Sequence, residues 1–316
     1  MKNEISVTKP LKQAYDWTKY VLFENFDIGK WFVMGFCAWI AFLGESGGGG
    51  GANFNSFRGG HGNRAHSLHN FWSFVIDHLL IIIIIAAVVI IIIIAVSLVM
   101  QWLSSRGKFM FLDCTVKDKA AIVDPWRQFK RLANSLFVFR VLFGLAFFIL
   151  FVFVAFISFV IAWPDITGKI FSSRAIMSIV IGGSLFFILV TITIIIQRIL
   201  FDFIVPIMYK KNVAVLKAIH IFKNDLLAEN VKSFILFYLM KIAISIAIGI
   251  LVIAAYCLTC CIACCLLAIP YIGVVIFLPV IMFKRCYSIF FLEQFGDEWI
   301  FITKPACEII DSTPDK

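Results

Sequence analysis

Long charge-free runs alternate with short basic segments along this chain. Trp31 to Gly44 carries no charge over 14 residues, Val141 to Pro164 none over 24, and Ala175 to Gln197 none over 23. His78 to Ser105 is uncharged over 28 residues with His neutral, and holds the isoleucine runs 81–85 and 90–94. Ser233 to Phe283 extends over 51 residues with Lys241 as its one charge. A helix needs about 20 apolar residues to cross hydrocarbon, so the last run predicts two crossings joined by a tight turn. The pattern predicts an all-α, polytopic transmembrane bundle of six helices, with spans near 28–45, 74–103, 137–163, 176–203, 233–256 and 266–288. The first is short, and reaches full length only by running back through Ile28 and Gly29 with Lys30 snorkelling.

Three segments preceding these runs place apolar residues at helical spacing among Lys and Arg. They are Leu11, Ala14, Tyr15, Thr18 and Leu22; then Trp126, Phe129, Leu132, Ala133 and Leu136; then Val213, Leu216, Ile219, Phe222 and Leu226. Such spacing predicts amphipathic helices lying at headgroup level. An Asn follows or ends each (Asn25, Asn134, Asn230) and suits an N-cap. The shared order of surface helix, span, turn and span suggests three repeated hairpins. The domain plan is a cytoplasmic amphipathic segment 1–30, a membrane domain 31–290 with a Gly/His-rich outer loop 46–70, and a cytoplasmic tail 291–316.

Composition strengthens the membrane reading. Hydrophobic residues make up 62% of the 316, charged residues 15%, and the mean hydropathy is +0.98. Soluble domains average roughly 25% charged residues, so this chain excludes a soluble enzyme, a disordered tail and a secreted disulfide mini-domain. The net charge is +9. Segments 1–30, 104–135, 206–232 and 283–316 hold 21 Lys and Arg, while the alternate segments hold four. By the positive-inside rule both termini are cytoplasmic in a multi-pass cell (cytoplasmic) membrane protein. No cleavable signal peptide is expected. The expected partners are the lipid bilayer and anionic headgroups at its cytoplasmic face, with no nucleic acid; a homo-oligomer or a membrane partner stays open.

Charges in or near lipid are the candidate functional groups, since burying one costs about 2.5–3.5 kcal/mol or more. Arg198 and Asp202 are four apart at a span end, can pair on one helix face, and have Gln197 beside them. Pro206 is expected to end that helix. Lys241, Arg140 and Arg106 complete the set. Each has a plainer reading as an interfacial or snorkelling residue. Asp77 and His78 open the second span, as a proton-linked pair or a polar helix start. His61, His66 and His69 are few and lie in a Gly-rich loop, so no metal is expected. Cys257, Cys260, Cys261, Cys264 and Cys265 form C-x2-C-C-x2-C-C among apolar residues, where packing is favoured over a disulfide or metal. Nucleotide-binding loops, zinc-protease motifs and nucleophile elbows are all missing, so neither an enzyme nor a cofactor is expected.

Some stretches are more specific. WLSSRGKFMFLD at 102–113, DPWRQFKR at 124–131, FIVPIMY at 203–209 and EQFG at 293–296 resemble an uncharacterised family of bacterial membrane proteins. More distantly, the arrangement is similar to the membrane domain preceding the catalytic barrel in some glycerophosphodiester phosphodiesterases. The first resemblance implies a bacterial cytoplasmic membrane and a six-helix bundle, with no assigned functional residues. The barrel has no counterpart here, so hydrolase activity is not expected to carry over. From the residues alone, Gly107 suits a helix C-cap, Phe109 to Leu112 would lie back on the membrane, and Asp124 would cap a helix from Pro125. The function expected is a non-enzymatic membrane organising or accessory role; the alternative is a transporter or channel for a small solute or lipid.

Overall fold

Four of the apolar runs become helices far longer than a bilayer needs. In a computed structural model, residues 5–24, 26–43, 79–167, 173–258 and 270–302 are described. Nearly all of them are helical, with no strand among the described residues. The helices are α1 (Lys9–Lys19), α2 (Ile28–Phe42), α3 (Leu79–Lys117), α4 (Val123–Gln128), α5 (Lys130–Thr167) and α6 (Ser173–Ile199). Then follow α7 (Val205–Lys211), α8 (Val215–Ile221), α9 (Ala228–Leu258), α10 (Pro270–Ile276) and α11 (Leu278–Glu293). Wider π turns at Tyr20–Glu24, Leu200–Ile204 and Phe222–Leu227 join some of them.

Among the described residues, four segments are long and apolar enough to cross a membrane: Leu79–Lys117, Lys130–Trp163, Met177–Lys211 and Val215–Ala255. α3 has 39 residues. At 1.5 Å per residue it is about 58 Å long, against hydrocarbon about 30 Å thick. The surplus has a clear use. Every residue from Leu79 to Met100 is exposed, whereas Ser104 to Thr115 is buried without a gap. The exposed part rises about 33 Å, one hydrocarbon thickness. The most apolar windows of the four segments are 0%, 0%, 0% and 6% buried. The buried core lies instead where the helices run on past their apolar halves, in a head that joins their basic ends. Phe203 is central to it, its ring 5.0–6.1 Å from those of Phe222, Phe234, Phe237, Tyr238 and Phe291.

Both outermost expected spans belong to this head. α2 runs antiparallel to the buried half of α3. Lys30 pairs with Asp118 at 2.6 Å, the Cys37 and Cys114 sulfurs are 4.0 Å apart, and the Ser104 hydroxyl donates to the Ala41 carbonyl at 2.7 Å. α2 therefore lies beside residues 104–118 and stops where the exposed half of α3 begins. The sixth expected span is divided at Phe277 into α10 and α11, and Arg285 to Leu292 are all buried. An apolar run covered by protein needs no lipid. The terminal segments meet. Ser6 and Gln294 exchange two hydrogen bonds of 2.9 Å between backbone and side chain.

The amphipathic faces also turn inward. Ala14, Trp17 and Leu22, Leu132, Ala133 and Leu136, and Val215, Ala218, Phe222 and Leu226 are buried in the head, while Tyr15 and Leu216 stay exposed. Phe109 to Leu112 are core residues, not a membrane-surface strip. Gly107 lies mid-helix rather than at a C-cap, and a Cβ there would sit 2.5–2.7 Å from Ala41 N and Ile40. The caps differ too. Asp27 caps α2, accepting from Gly29 N at 2.8 Å, and Asn134 is inside α5. Asn230 is a non-helical kink within α9, and Asp124 sits in the first turn of α4 rather than capping it.

α5 and α6 form a hairpin closed by small residues. The Ser178 hydroxyl donates to the Ser158 carbonyl at 3.0 Å, and Gly182 faces Ser158 closely enough that a Cβ would collide with its hydroxyl. Small residues allow such approach between membrane helices. Gly182→Leu is expected to part the hairpin. A cysteine pair introduced by Ser158→Cys and Ser178→Cys should then lose most of its cross-linking, and full retention would contradict this packing.

Candidate functional site

Polar side chains concentrate where the exposed helices enter the head. Pro206 does not end its helix. It has no N–H to donate to the carbonyl one turn back, and its ring crowds that carbonyl. The preceding turn widens to a π turn, Leu200–Ile204, and the chain continues as α7. All five residues of that turn are buried, Asp202 among them at 1% exposure.

Asp202 pairs with Lys241 of α9 at 2.5 Å, not with Arg198, which is exposed. Ser288 of α11 completes the group. Its hydroxyl lies 3.3 Å from Asp202 Oδ1 and receives a hydrogen bond from Lys241 Nζ at 3.2 Å. One ion pair thus ties the π turn after α6 to α9 and α11. Arg285 donates to the Phe201 carbonyl and lies 4.4 Å above the Phe201 ring, with Lys108 Nζ 5.3 Å from the same ring. Gln197 is half-buried, and its Oε1 has no hydrogen-bond partner.

Two further groups flank this pair. Arg140 is buried, and its Nη1 donates to the Ser104 and Ser105 hydroxyls at 3.3 and 3.5 Å. Asp113 accepts from Tyr209 at 2.8 Å and pairs with Lys117 at 2.6 Å, one turn along its own helix. Arg106 sits over two nearly perpendicular indoles, 4.4 Å from Trp102 and 4.6 Å from Trp126. Beyond α11, Glu293 accepts from the Phe301 and Ile302 amides at 2.9 and 3.2 Å, while burial pushes its carboxyl above the ordinary range. Contact with Lys211 holds the exposed Glu298 below that range.

Of the sequence candidates, Asp202 and Lys241 come together, Arg140 and Arg106 hold separate positions, and Arg198 faces outward. Ser288, Tyr209 and the two tryptophans were not foreseen as partners. Only the aromatic residues flanking Arg106 gave any signal. Asp77, His78, His61, His66, His69 and Cys260 to Cys265 lie outside the described residues; Cys257 is exposed. Among the described residues no group of three or more His, Cys, Asp or Glu could hold a metal ion. The Asp202–Lys241 pair is covered by protein, and its chemistry is mutual neutralisation.

Four long helices with lipid-compatible surfaces, feeding a separate head with charges in its core, define a helical membrane-spanning protein. The chain belongs to a family of unknown function, DUF7544, which matches residues 5–291. No curated protein and no solved structure matches the chain.

Proposed function

We propose that this protein is a non-enzymatic membrane organising or accessory protein of the cell (cytoplasmic) membrane, with both termini at the cytoplasmic face. One observation carries the proposal: the apolar windows are 0–6% buried. Helices that face outward all round enclose no shielded polar path through hydrocarbon, and a transporter needs one. The ion pair at the helix bases serves as a clamp between elements. The orientation draws support from the 21-to-four bias in Lys and Arg and from the Ser6–Gln294 contact between the two terminal segments. Four crossings fit this arrangement better than six. The repeat is supported at two places, where α1 and α8 each run on into a π turn; α4 instead breaks at Phe129.

The test is reconstitution of the full chain into liposomes, alongside mass spectrometry of what co-purifies in mild detergent. The expected result is solute flux no greater than in empty vesicles, with a stoichiometric membrane partner retained. Flux that disappears in the double variant Asp202→Leu/Lys241→Met, with the fold intact, would establish the transporter alternative instead.

A further inference from the structure

We propose that Trp102, Arg106 and Trp126 form a built site for the phosphodiester of a membrane phospholipid headgroup. The inference needs only the apolar helices, and it stands whether or not the head organises partners.

Position comes first. Met100 is the last residue of the fully exposed half of α3. Trp102 lies about 3 Å and Arg106 about 9 Å further along the helix. The headgroup layer is about 5–8 Å thick on each side of the hydrocarbon, so Trp102 lies within it, and the Arg106 side chain, tilted back toward the N-terminus of its helix, reaches its outer edge. Tryptophan concentrates there because its ring is apolar and its N–H is wet.

Geometry comes second. The two indoles lie 5.8 Å apart at 87°, and both approach the guanidinium from its sides. Arg106 is only 7% exposed, and its buried Nε has no hydrogen-bond partner. Among the described residues no carboxylate pairs with it. A guanidinium carries five donors in a rigid planar fork and no acceptor. The neighbouring indoles cover it with aromatic carbon and offer its Nε no acceptor. The acceptor that supplies two oxygens at fork spacing, abundant at this depth, is lipid phosphate. Arg127, Lys130 and Arg131 are exposed just after Trp126, which draws anionic lipid toward the site.

The experiment is native mass spectrometry of the full chain in mild detergent. Phosphatidylglycerol, diacylglycerol with the same tails, and inorganic phosphate are titrated separately. One saturable phosphatidylglycerol per chain is expected, with no saturable diacylglycerol. Arg106→Gln should weaken the lipid by roughly ten- to hundredfold, the scale of charge-assisted hydrogen bonds. Arg106→Lys keeps the charge without the fork and should weaken it less; Trp126→Leu should also weaken it. Unchanged lipid affinity in Arg106→Gln with an unchanged melting temperature would overturn the proposal. If Arg106→Gln does not fold, unchanged affinity in both Arg106→Lys and Trp126→Leu would overturn it equally. Inorganic phosphate displacing the lipid at equal concentration would make this a free-phosphate site and also overturn it. None of these outcomes depends on solute flux or on a co-purified protein.

Discussion

Asp202→Ala is expected to destabilise the fold by about 3–5 kcal/mol, because it leaves Lys241 as a buried charge without its counter-charge. Asp202 is buried and makes the 2.5 Å contact with Lys241, whose side chain is 14% exposed. That small opening allows slight snorkelling and favours the lower end of the range. Ser288 cannot replace the carboxylate, since a hydroxyl carries no charge. Replacing both partners with apolar residues of similar volume has a different outcome. Asp202→Leu combined with Lys241→Met is expected to stay within about 1 kcal/mol of the parent or to exceed it, since neither charge then needs desolvation. Unfolding in mixed micelles, followed by helicity, distinguishes the two. Equal loss in the single and double variants would show that the site depends on shape, not on charge pairing.

Gly107→Leu is expected to cost about 3 kcal/mol, at the upper end for overpacking. The atoms in its way include Ala41 N and Ile40 C, both backbone, so no rotamer change makes room. α2 must move off α3, separating the Ser104–Ala41 hydrogen bond and the Cys37–Cys114 contact. Gly107→Ala should be milder, since alanine gains about 1 kcal/mol of helix propensity over glycine. Gly144 supplies the control, because a Cβ there would meet nothing within 4 Å. Gly144→Leu should leave stability within about 0.5 kcal/mol of the parent, as exposed substitutions do. A loss there equal to that at Gly107 would point to lipid packing as the common cause.

The isoleucine-rich half of α3 was legible from sequence because nothing but hydrocarbon accommodates Leu79 to Met100. Phe109 to Leu112 were misassigned for a related reason. Hydropathy reports aversion to water and is silent on whether lipid or protein replaces it. The same ambiguity turned α2 and α11 into expected spans, although 15 residues in α2 fall short of a bilayer. Lys241 and Asp202 stood out as charges in apolar surroundings, but their pairing bridges 39 positions and follows no helical spacing. The four-residue spacing favoured Arg198. It failed because Pro206 widens the turn at 200–204, where the chain enters the head and leaves Arg198 outside. The indoles that contact Arg106 come from two helices, and only tertiary packing brings Trp126 to Trp102.

The division of the chain into bare lipid-facing helices and a separate packed head is open to direct measurement. Spin labels at Ile90, Ile91, Ile92 and Ile93 cover one full turn of α3, where each isoleucine is 55–65% exposed. In lipid vesicles all four are expected to collide readily with dissolved oxygen and to be shielded from an aqueous nickel reagent, while labels at Lys130 and Lys217 show the reverse. Nickel access at one of the four, with its neighbours still in lipid, would reveal a water-lined face and contradict that division.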